Sequence, residues 1–190
     1  MEEREVKFLD IDVAEIEQKI LALGGVKQFD RVFKRIVFDY PDLRLDKQAA
    51  WVRLRDEGDK VTFSYKQRLE VGDGTSNDKS MLEHEVVVSD FEATAEILRS
   101  IGLVDKFYEE NRRVQYKIGE VELDIDTWPQ LNPYLEIEAP NWGLVDEMIV
   151  KLELNPDDKK IYSTNQIYAA AGINENDYSR ITFNEMVRRG

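Results

Sequence analysis

Charged residues spaced two apart recur along the chain, inside segments that otherwise have the composition of β-strands. Successive side chains of a strand point to opposite faces, so the charges of each set project from one face. The first segment, Glu3-Arg4-Glu5-Val6-Lys7, therefore places two carboxylates and one ammonium group together. The recurring sets are Glu3, Glu5 and Lys7; Arg53 and Arg55; Lys66 and Arg68; Glu83 and Glu85; Asp124 and Asp126; Glu136 and Glu138.

These charges restrict how the strands can pack. Any one pair is typical of the solvated face of an antiparallel sheet. Apolar residues alternate with the charges, as Val52 and Leu54 do with the two arginines, and three amphipathic helices need an apolar sheet face to cover. The helices should then lie outside a curled sheet and the charges inside. Burying so many charges is prohibitive unless each is paired or bound to a ligand.

The order of predicted elements defines the fold class. Helical spacing runs from Asp12, an N-cap, to Gly24, and a second helix begins after Asp90. Further helices are predicted at 142–152 and 163–171. About eight strands, joined mainly by tight hairpins, are enough to close a barrel. The prediction is an α+β fold: an eight-stranded antiparallel closed β-barrel with helices packed on the outside, in a single domain at 1–173 followed by a C-terminal tail at 174–190.

Composition excludes several kinds of partner. The chain has 190 residues, a formal net charge of -13 and no cysteine. The absence of cysteine excludes disulfides and thiolate metal sites, and the negative charge opposes binding to nucleic acid or to an anionic membrane. There is no long apolar run and no signal-peptide pattern at the first residues. We therefore expect a cytoplasmic protein with no nucleic-acid partner and no membrane partner.

A charged face with both signs fits one kind of small ligand. Lys and Arg side chains bind phosphate oxygens, whereas Asp and Glu side chains bind Mg²⁺ or Mn²⁺, which are usually shared with substrate phosphates. A polyphosphate together with a divalent cation would satisfy both sets of charges. The charge pattern therefore predicts a polyphosphate–metal complex as the ligand.

The motif Glu3-x-Glu5-x-Lys7 resembles the ExExK signature of the CYTH superfamily, the triphosphate tunnel enzymes. That superfamily includes CyaB-type class IV adenylyl cyclases, thiamine triphosphatases and inorganic triphosphatases. Further matches occur in the family's order across about residues 1–172. They are Phe38-Asp39-Tyr40-Pro41, Trp51-Val52-Arg53-Leu54-Arg55, Tyr65-Lys66, Glu83-x-Glu85, Arg113 with Tyr116, Leu123-Asp124 and Leu135-Glu136-Ile137-Glu138.

The resemblance implies roles for individual residues in a triphosphate tunnel. Phosphate binding is implied for Lys7, Arg53, Arg55, Lys66, Arg68 and Arg113. Binding of Mg²⁺ or Mn²⁺ is implied for Glu3, Glu5, Asp124, Glu136 and Glu138. Catalysis is assigned to Glu3, Glu5 and Lys7, with Glu83 and Glu85 as additional tunnel acids. Only one of Arg112 and Arg113 can face the tunnel, and Tyr116, three residues after Arg113, favours Arg113. The roles of Asp126, Lys159 and Lys160 are left open.

The implied function is that of a metal-dependent hydrolase acting on an inorganic or organic triphosphate: tripolyphosphate, thiamine triphosphate or ATP. One alternative is a class IV adenylyl cyclase that forms cyclic AMP and pyrophosphate. The other is a noncatalytic module that binds polyphosphate or nucleotides. Class IV cyclases often carry a His-Phe pair upstream of ExExK, and its absence here favours hydrolysis. The complete set of carboxylates disfavours the binding module. A homodimer is left open.

Overall fold

The computed structural model describes residues 4–68 and 81–190. Glu3 and the loop expected at 72–79 lie outside these residues. The helices are α1 (Val13–Ala22), α2 (Phe91–Ser100), α3 (Trp142–Lys151) and α4 (Thr164–Ala170). The strands are β1 (Arg4–Phe8), β2 (Val26–Asp39), β3 (Ala50–Asp56), β4 (Val61–Arg68), β5 (Met81–Val88), β6 (Val104–Ile118), β7 (Val121–Thr127), β8 (Tyr134–Ala139), β9 (Tyr178–Ile181) and β10 (Met186–Arg188). None of the described helices has the length and apolar character needed to span a bilayer.

Side-chain caps fix where the helices begin. Asp12 accepts a hydrogen bond from the backbone N–H of Glu15, and Asp90 accepts one from Ala93, as expected from their positions in the sequence. Each cap satisfies a backbone donor that the first turn of a helix leaves without a partner. These caps hold α1 and α2 at the starts that the sequence predicts.

The strands form a large, mainly antiparallel sheet with the ladder order β1-β8-β7-β6-β2-β3-β4-β5. The predicted α+β class is therefore confirmed. β9 is the exception to the antiparallel rule, because it pairs parallel to β6 at Tyr108 and Arg180. Within the described part of the chain, hydrogen bonds do not close the sheet on itself. The predicted closed barrel is thus not confirmed.

The chain divides into two compact units, and strands β2 and β6 each contribute to both. The first unit consists of the described residues of Met1–Arg31 together with Arg112–Ile173. Its sheet has one apolar face, which packs with residues of α1 and α3 in a common core. Val6, Leu123, Leu135 and Ile137 are fully buried there, as their alternation with charged residues predicts.

The second unit consists of Val32–Asn111 and Asn174–Gly190. Its core joins Ile36, Phe38 and Leu54 of the sheet to Phe91 and Leu98 of α2. Val86 departs from the expected pattern. Its alternation with Glu83 and Glu85 predicts that it lies on the covered apolar face, but 56% of it is exposed.

The C-terminal segment contains two strands that its sequence does not predict. β9 and β10 are four and three residues long, too short to show an alternating pattern. Ile181 is buried against this unit, whereas 44% of Phe183 is exposed. Of these two apolar residues of the tail, Ile181 therefore has the clearer core role.

Candidate functional site

The charged face of the first unit gathers five carboxylates from three neighbouring strands. We call Glu5, Asp124, Asp126, Glu136 and Glu138 the acidic cluster. In the antiparallel register, Glu5 of β1 lies opposite Glu138 of β8, and Asp124 of β7 lies opposite Glu136. Directly opposed residues share a sheet face, so register brings together acids that are far apart in sequence.

Two cations are embedded in the acidic cluster. Lys7 Nζ lies 2.8 Å from Glu5 Oε1 and 2.8 Å from Glu136 Oε2. Arg113 donates two hydrogen bonds to Asp126, at 2.9 and 2.6 Å, and another to Asp124 at 2.6 Å. A further bond at 3.2 Å reaches Glu136. The Arg113 guanidinium thus fixes the positions of three carboxylates.

Burial and charge act in opposite directions on these groups. Burial lowers the pKa of Lys7, but the attraction of Glu136 and Glu5 outweighs it, so that pKa is raised overall. Burial raises the pKa of Glu136, but Arg113 and Lys7 outweigh it and lower that pKa overall. Burial raises the pKa of Asp124 to about 7, because Arg113 only partly offsets it. Lys7 and Glu136 are therefore held as ions.

Part of the acidic cluster could hold a metal ion. Glu5, Glu136 and Glu138 can each offer one carboxylate oxygen, and these three oxygens lie within 4.8 Å of one another. Asp124 Oδ1 is buried and has no hydrogen-bond partner among the described residues. Three carboxylate oxygens beside an unused acceptor suit a hard divalent cation such as Mg²⁺ or Mn²⁺.

The charged face of the second unit has the opposite character. We call Arg35, Arg53, Arg55 and Lys66 the basic cluster; they come from β2, β3 and β4. Arg35 lies opposite Arg55 in the register. Arg55 bonds Glu57 through Nε at 2.9 Å, and Lys66 Nζ lies 2.8 Å from Glu83. Three guanidinium groups and an ammonium group are thereby assembled on one face.

Burial, and after it the crowding of like charges, lowers pKa values in the basic cluster. Burial lowers the pKa of Arg53 to about 10, with repulsion from Arg55 and Arg35 adding to the effect. Burial likewise lowers the pKa of Lys66, and Arg53 adds to that shift. An anion bound among these groups would offset the repulsion between them and so favour their charged forms.

The other charged residues that the sequence singles out have different surroundings. Arg112 pairs with Asp30, so of the two neighbouring arginines Arg113 is the one that reaches the acidic cluster. Arg68 is exposed, and its guanidinium lies 5.6 Å from the ring centroid of Trp51. Arg53 Nη2 lies 3.8 Å from Glu83 Oε1 and 3.6 Å from Glu85 Oε2.

The two C-terminal lysines have different surroundings. Lys160 exchanges backbone hydrogen bonds with Lys7, at 2.8 and 2.9 Å, as an isolated antiparallel bridge. Opposed residues share a face, so Lys160 belongs to the charged face. Lys159 Nζ instead lies 3.7 Å from Asp146 and 5.9 Å from the ring centroid of Trp142.

Sequence reasoning missed several polar residues of the two charged faces. Arg35 lies between Phe33 and Val37 on its face, so it belongs to no charged pair. Asn111 accepts a hydrogen bond from Arg35, and buried Glu57 bonds both Arg55 and Thr62. Strand phase could have placed Arg35, but Glu57 follows β3 in a turn, where alternation gives no guidance.

Glu109, also missed, gives a testable dependence of stability on pH. Burial raises its pKa to about 7, with Arg35 opposing and Glu175 adding. The cost of ionising it in the folded protein therefore grows as pH rises above 4.5 and is complete above about 7. Glu109→Gln should raise the free energy of unfolding by about 3 kcal/mol at pH 8 and by under about 1 kcal/mol at pH 5.

Denaturant unfolding of both proteins at the two pH values measures this difference. Glu110→Gln changes the neighbouring half-buried carboxylate and should not reproduce the pH dependence. A stability gain from Glu109→Gln that is equal at pH 5 and pH 8 would rule out ionisation as its cause.

The protein thus has an α+β fold with a carboxylate cluster in one unit, whose composition suits a divalent cation, and a guanidinium-rich face in the other. The chain belongs to the CYTH domain family, whose model matches residues 1–165. The family resemblance inferred from the ExExK motif is confirmed. No curated protein sequence matches the chain at a significant level.

Solved structures share the fold at low sequence identity. The PH1012 protein from Pyrococcus horikoshii OT3 is 21% identical, with a TM-score of 0.68 over 87% of this chain and 98% of its own. A proposed adenylate cyclase from Vibrio parahaemolyticus is 13% identical, with a TM-score of 0.68 over 88% and 97%. HpAC1 from Hippeastrum, a proposed adenylyl cyclase described as having a dominant triphosphatase activity, is 17% identical, with a TM-score of 0.64 over 90% and 96%. At these identities the likeness concerns the fold.

Proposed function

We propose that the protein is a metal-dependent triphosphatase that uses water to release orthophosphate from an inorganic or organic triphosphate. The observation that carries this proposal is the carboxylate trio of Glu5, Glu136 and Glu138, whose oxygens lie within 4.8 Å of one another. A module that only captured polyphosphate would need cations, whereas three converging carboxylates repel an anion unless a metal ion is bound.

The acidic cluster would hold the divalent cation. Glu5, Glu136 and Glu138 would supply ligands, with Asp124 as a further candidate and Glu3 assigned by the motif alone. A bound Mg²⁺ or Mn²⁺ would neutralise phosphate charge during phosphoryl transfer. Lys7 and Arg113 would keep Glu136 ionised and would orient the neighbouring carboxylates, since Lys7 pairs with Glu136 and Arg113 bonds Asp124. Lys160, opposite Lys7, would add a second ammonium group for the phosphates.

The basic cluster would bind phosphate oxygens within the second unit. Arg53, Arg55 and Lys66 are the proposed contacts, and exposed Arg68 would contribute at the end of β4. In the reaction, a water oxygen attacks the terminal phosphorus and the bridging P–O bond breaks. Tripolyphosphate then yields orthophosphate and pyrophosphate. Arg113 was expected to bind phosphate, but its four hydrogen bonds to carboxylates support a role in positioning them.

Products distinguish hydrolysis from cyclisation and from binding alone. The purified protein is incubated with Mg²⁺ or Mn²⁺ and, separately, tripolyphosphate, thiamine triphosphate and ATP. We expect orthophosphate from at least one of them and no cyclic AMP. Cyclic AMP with pyrophosphate from ATP would replace the hydrolase with a cyclase, and tight binding without turnover would support the binding module.

A further inference from the structure

Two buried polar atoms lie on opposed residues of the second unit without hydrogen-bond partners. Ser64 is 1% exposed, and its Oγ bonds nothing within the described ranges. Arg53 Nε is likewise buried and without a partner there. Arg53 of β3 and Ser64 of β4 are directly opposed in the antiparallel register, so their side chains lie together on the charged face.

Burying these two polar atoms without hydrogen-bond partners lowers the stability of the folded protein unless a ligand bonds them. A buried donor without a partner loses the hydrogen bond that it would make to water. The nearest carboxylates to Arg53 do not compensate, since Glu85 Oε2 and Glu83 Oε1 lie 3.6 and 3.8 Å from its Nη2, beyond hydrogen-bond range. Glu83 is instead 2.8 Å from Lys66. A hydroxyl and a guanidinium Nε–H side by side suit an anionic oxygen.

Arg35 brings a second guanidinium to the same face. It lies opposite Arg55, and its Nη2 donates to Asn111 Oδ1. The charge of Arg35 also acts on buried Glu109, where it opposes the rise in the pKa of that carboxyl. The register places Arg35 on the charged face with Arg53 and Arg55.

We propose that the Ser64 hydroxyl, Arg53 Nε–H and Arg35 guanidinium form a subsite that binds the oxygens of one phosphate group. The inference rests on the proposed function, since that phosphate would belong to the triphosphate substrate. Ser64 and Arg35 are then phosphate-binding residues that the charged pairs of the sequence do not reveal. Both residues are substrate contacts in this assignment, and Asn111 is a positioning residue for Arg35.

Ser64→Ala tests the hydroxyl with two readouts. Without ligand, the variant should have an unchanged or higher melting temperature, because a buried hydroxyl without a partner is removed. In EDTA, its calorimetric Kd for tripolyphosphate should rise at least about 10-fold, the usual effect of losing a hydrogen bond to a charged group. Thr62→Val is the matched control, since the Thr62 hydroxyl already donates to Glu57 at 3.2 Å. Its Kd should stay within about twofold of wild type.

Arg35 is tested by changing its charge and its geometry separately. Arg35→Gln should raise the Kd at least about 10-fold, and Arg35→Lys should recover only part of that loss, because lysine lacks the planar fork. Lys34→Gln, an exposed neighbour on the opposite face of β2, should change the Kd by less than about twofold. Full recovery in Arg35→Lys would reduce Arg35 to a distant charge and overturn its assignment.

The outcomes separate this subsite from the proposed hydrolysis. Tripolyphosphate binding by wild type that Ser64→Ala leaves unchanged overturns the subsite and leaves hydrolysis standing. Binding that Ser64→Ala weakens, without turnover by wild type, supports the subsite and refutes the hydrolase. If wild type binds none of tripolyphosphate, thiamine triphosphate and ATP, both proposals fail. Inorganic phosphate that raises the melting temperature of wild type more than that of Ser64→Ala would support the same three contacts.

Discussion

Replacing Arg113 by glutamine should lower the free energy of unfolding by about 3–5 kcal/mol, the usual cost of removing one partner from a buried charge network. The guanidinium bonds Asp124, Asp126 and Glu136, of which the first two are 1% exposed and the third 6%. Glutamine cannot neutralise them, so mutual repulsion and poor solvation remain. The same variant should show weaker metal binding, because its carboxylates lose their fixed positions.

Arg112→Gln is the matched control, because it removes the same side chain one position earlier. Arg112 pairs with Asp30 and is nearly half exposed, with 48% of its side chain accessible. An exposed pair of this kind contributes about 1 kcal/mol or less. Urea unfolding of both variants measures the difference. Equal losses of stability would contradict the assignment of Arg113 to the acidic cluster.

Glu5→Gln should reduce metal-dependent triphosphate turnover by at least about 100-fold. Mutating groups that merely support metal ligands commonly costs 10–100-fold, so losing a ligand should reach or exceed the upper end of that range. Because 49% of the Glu5 side chain is exposed, the variant should fold normally. Steady-state phosphate release, measured across a range of Mg²⁺ concentrations, separates a weaker metal affinity from a lower maximal rate.

Glu122→Gln provides the comparison for Glu5. Glu122 lies opposite Glu138 on the same charged face, but its carboxylate bonds Gln115 and Lys117. Its replacement should leave turnover within about twofold. A Glu5→Gln protein that kept full metal-dependent activity would remove the role assigned to the opening strand.

The sequence predicts secondary structure and sheet faces well in this protein, because the signals are local. Alternation around Arg53 and Arg55, or around Glu136 and Glu138, identifies both the strand and its charged face. Asp12 and Asp90 mark helix starts through a hydrogen bond that spans three residues. The site residues that are identified only by the sheet face they occupy can therefore be predicted from the sequence.

Partners within a face are less predictable, because they depend on register between distant strands. Nothing local indicates that Arg113 bonds Asp126 and Glu136, or that Asn111 holds Arg35. Glu109 and Ser64 are single polar residues without a motif, and only burial makes them notable. Closure of the sheet was expected from strand number, which shows that a barrel is possible but does not fix the hydrogen bonds that would close it.

The most direct test of the metal-dependent triphosphatase is orthophosphate release from tripolyphosphate by the wild-type protein, measured as Mg²⁺ is titrated from an EDTA-treated sample. The acidic cluster predicts negligible release in EDTA and a saturable rise with Mg²⁺, reproduced with Mn²⁺. Release that is equal with and without a divalent cation would contradict the account, as would the absence of release from tripolyphosphate, thiamine triphosphate and ATP alike at every concentration of both metals.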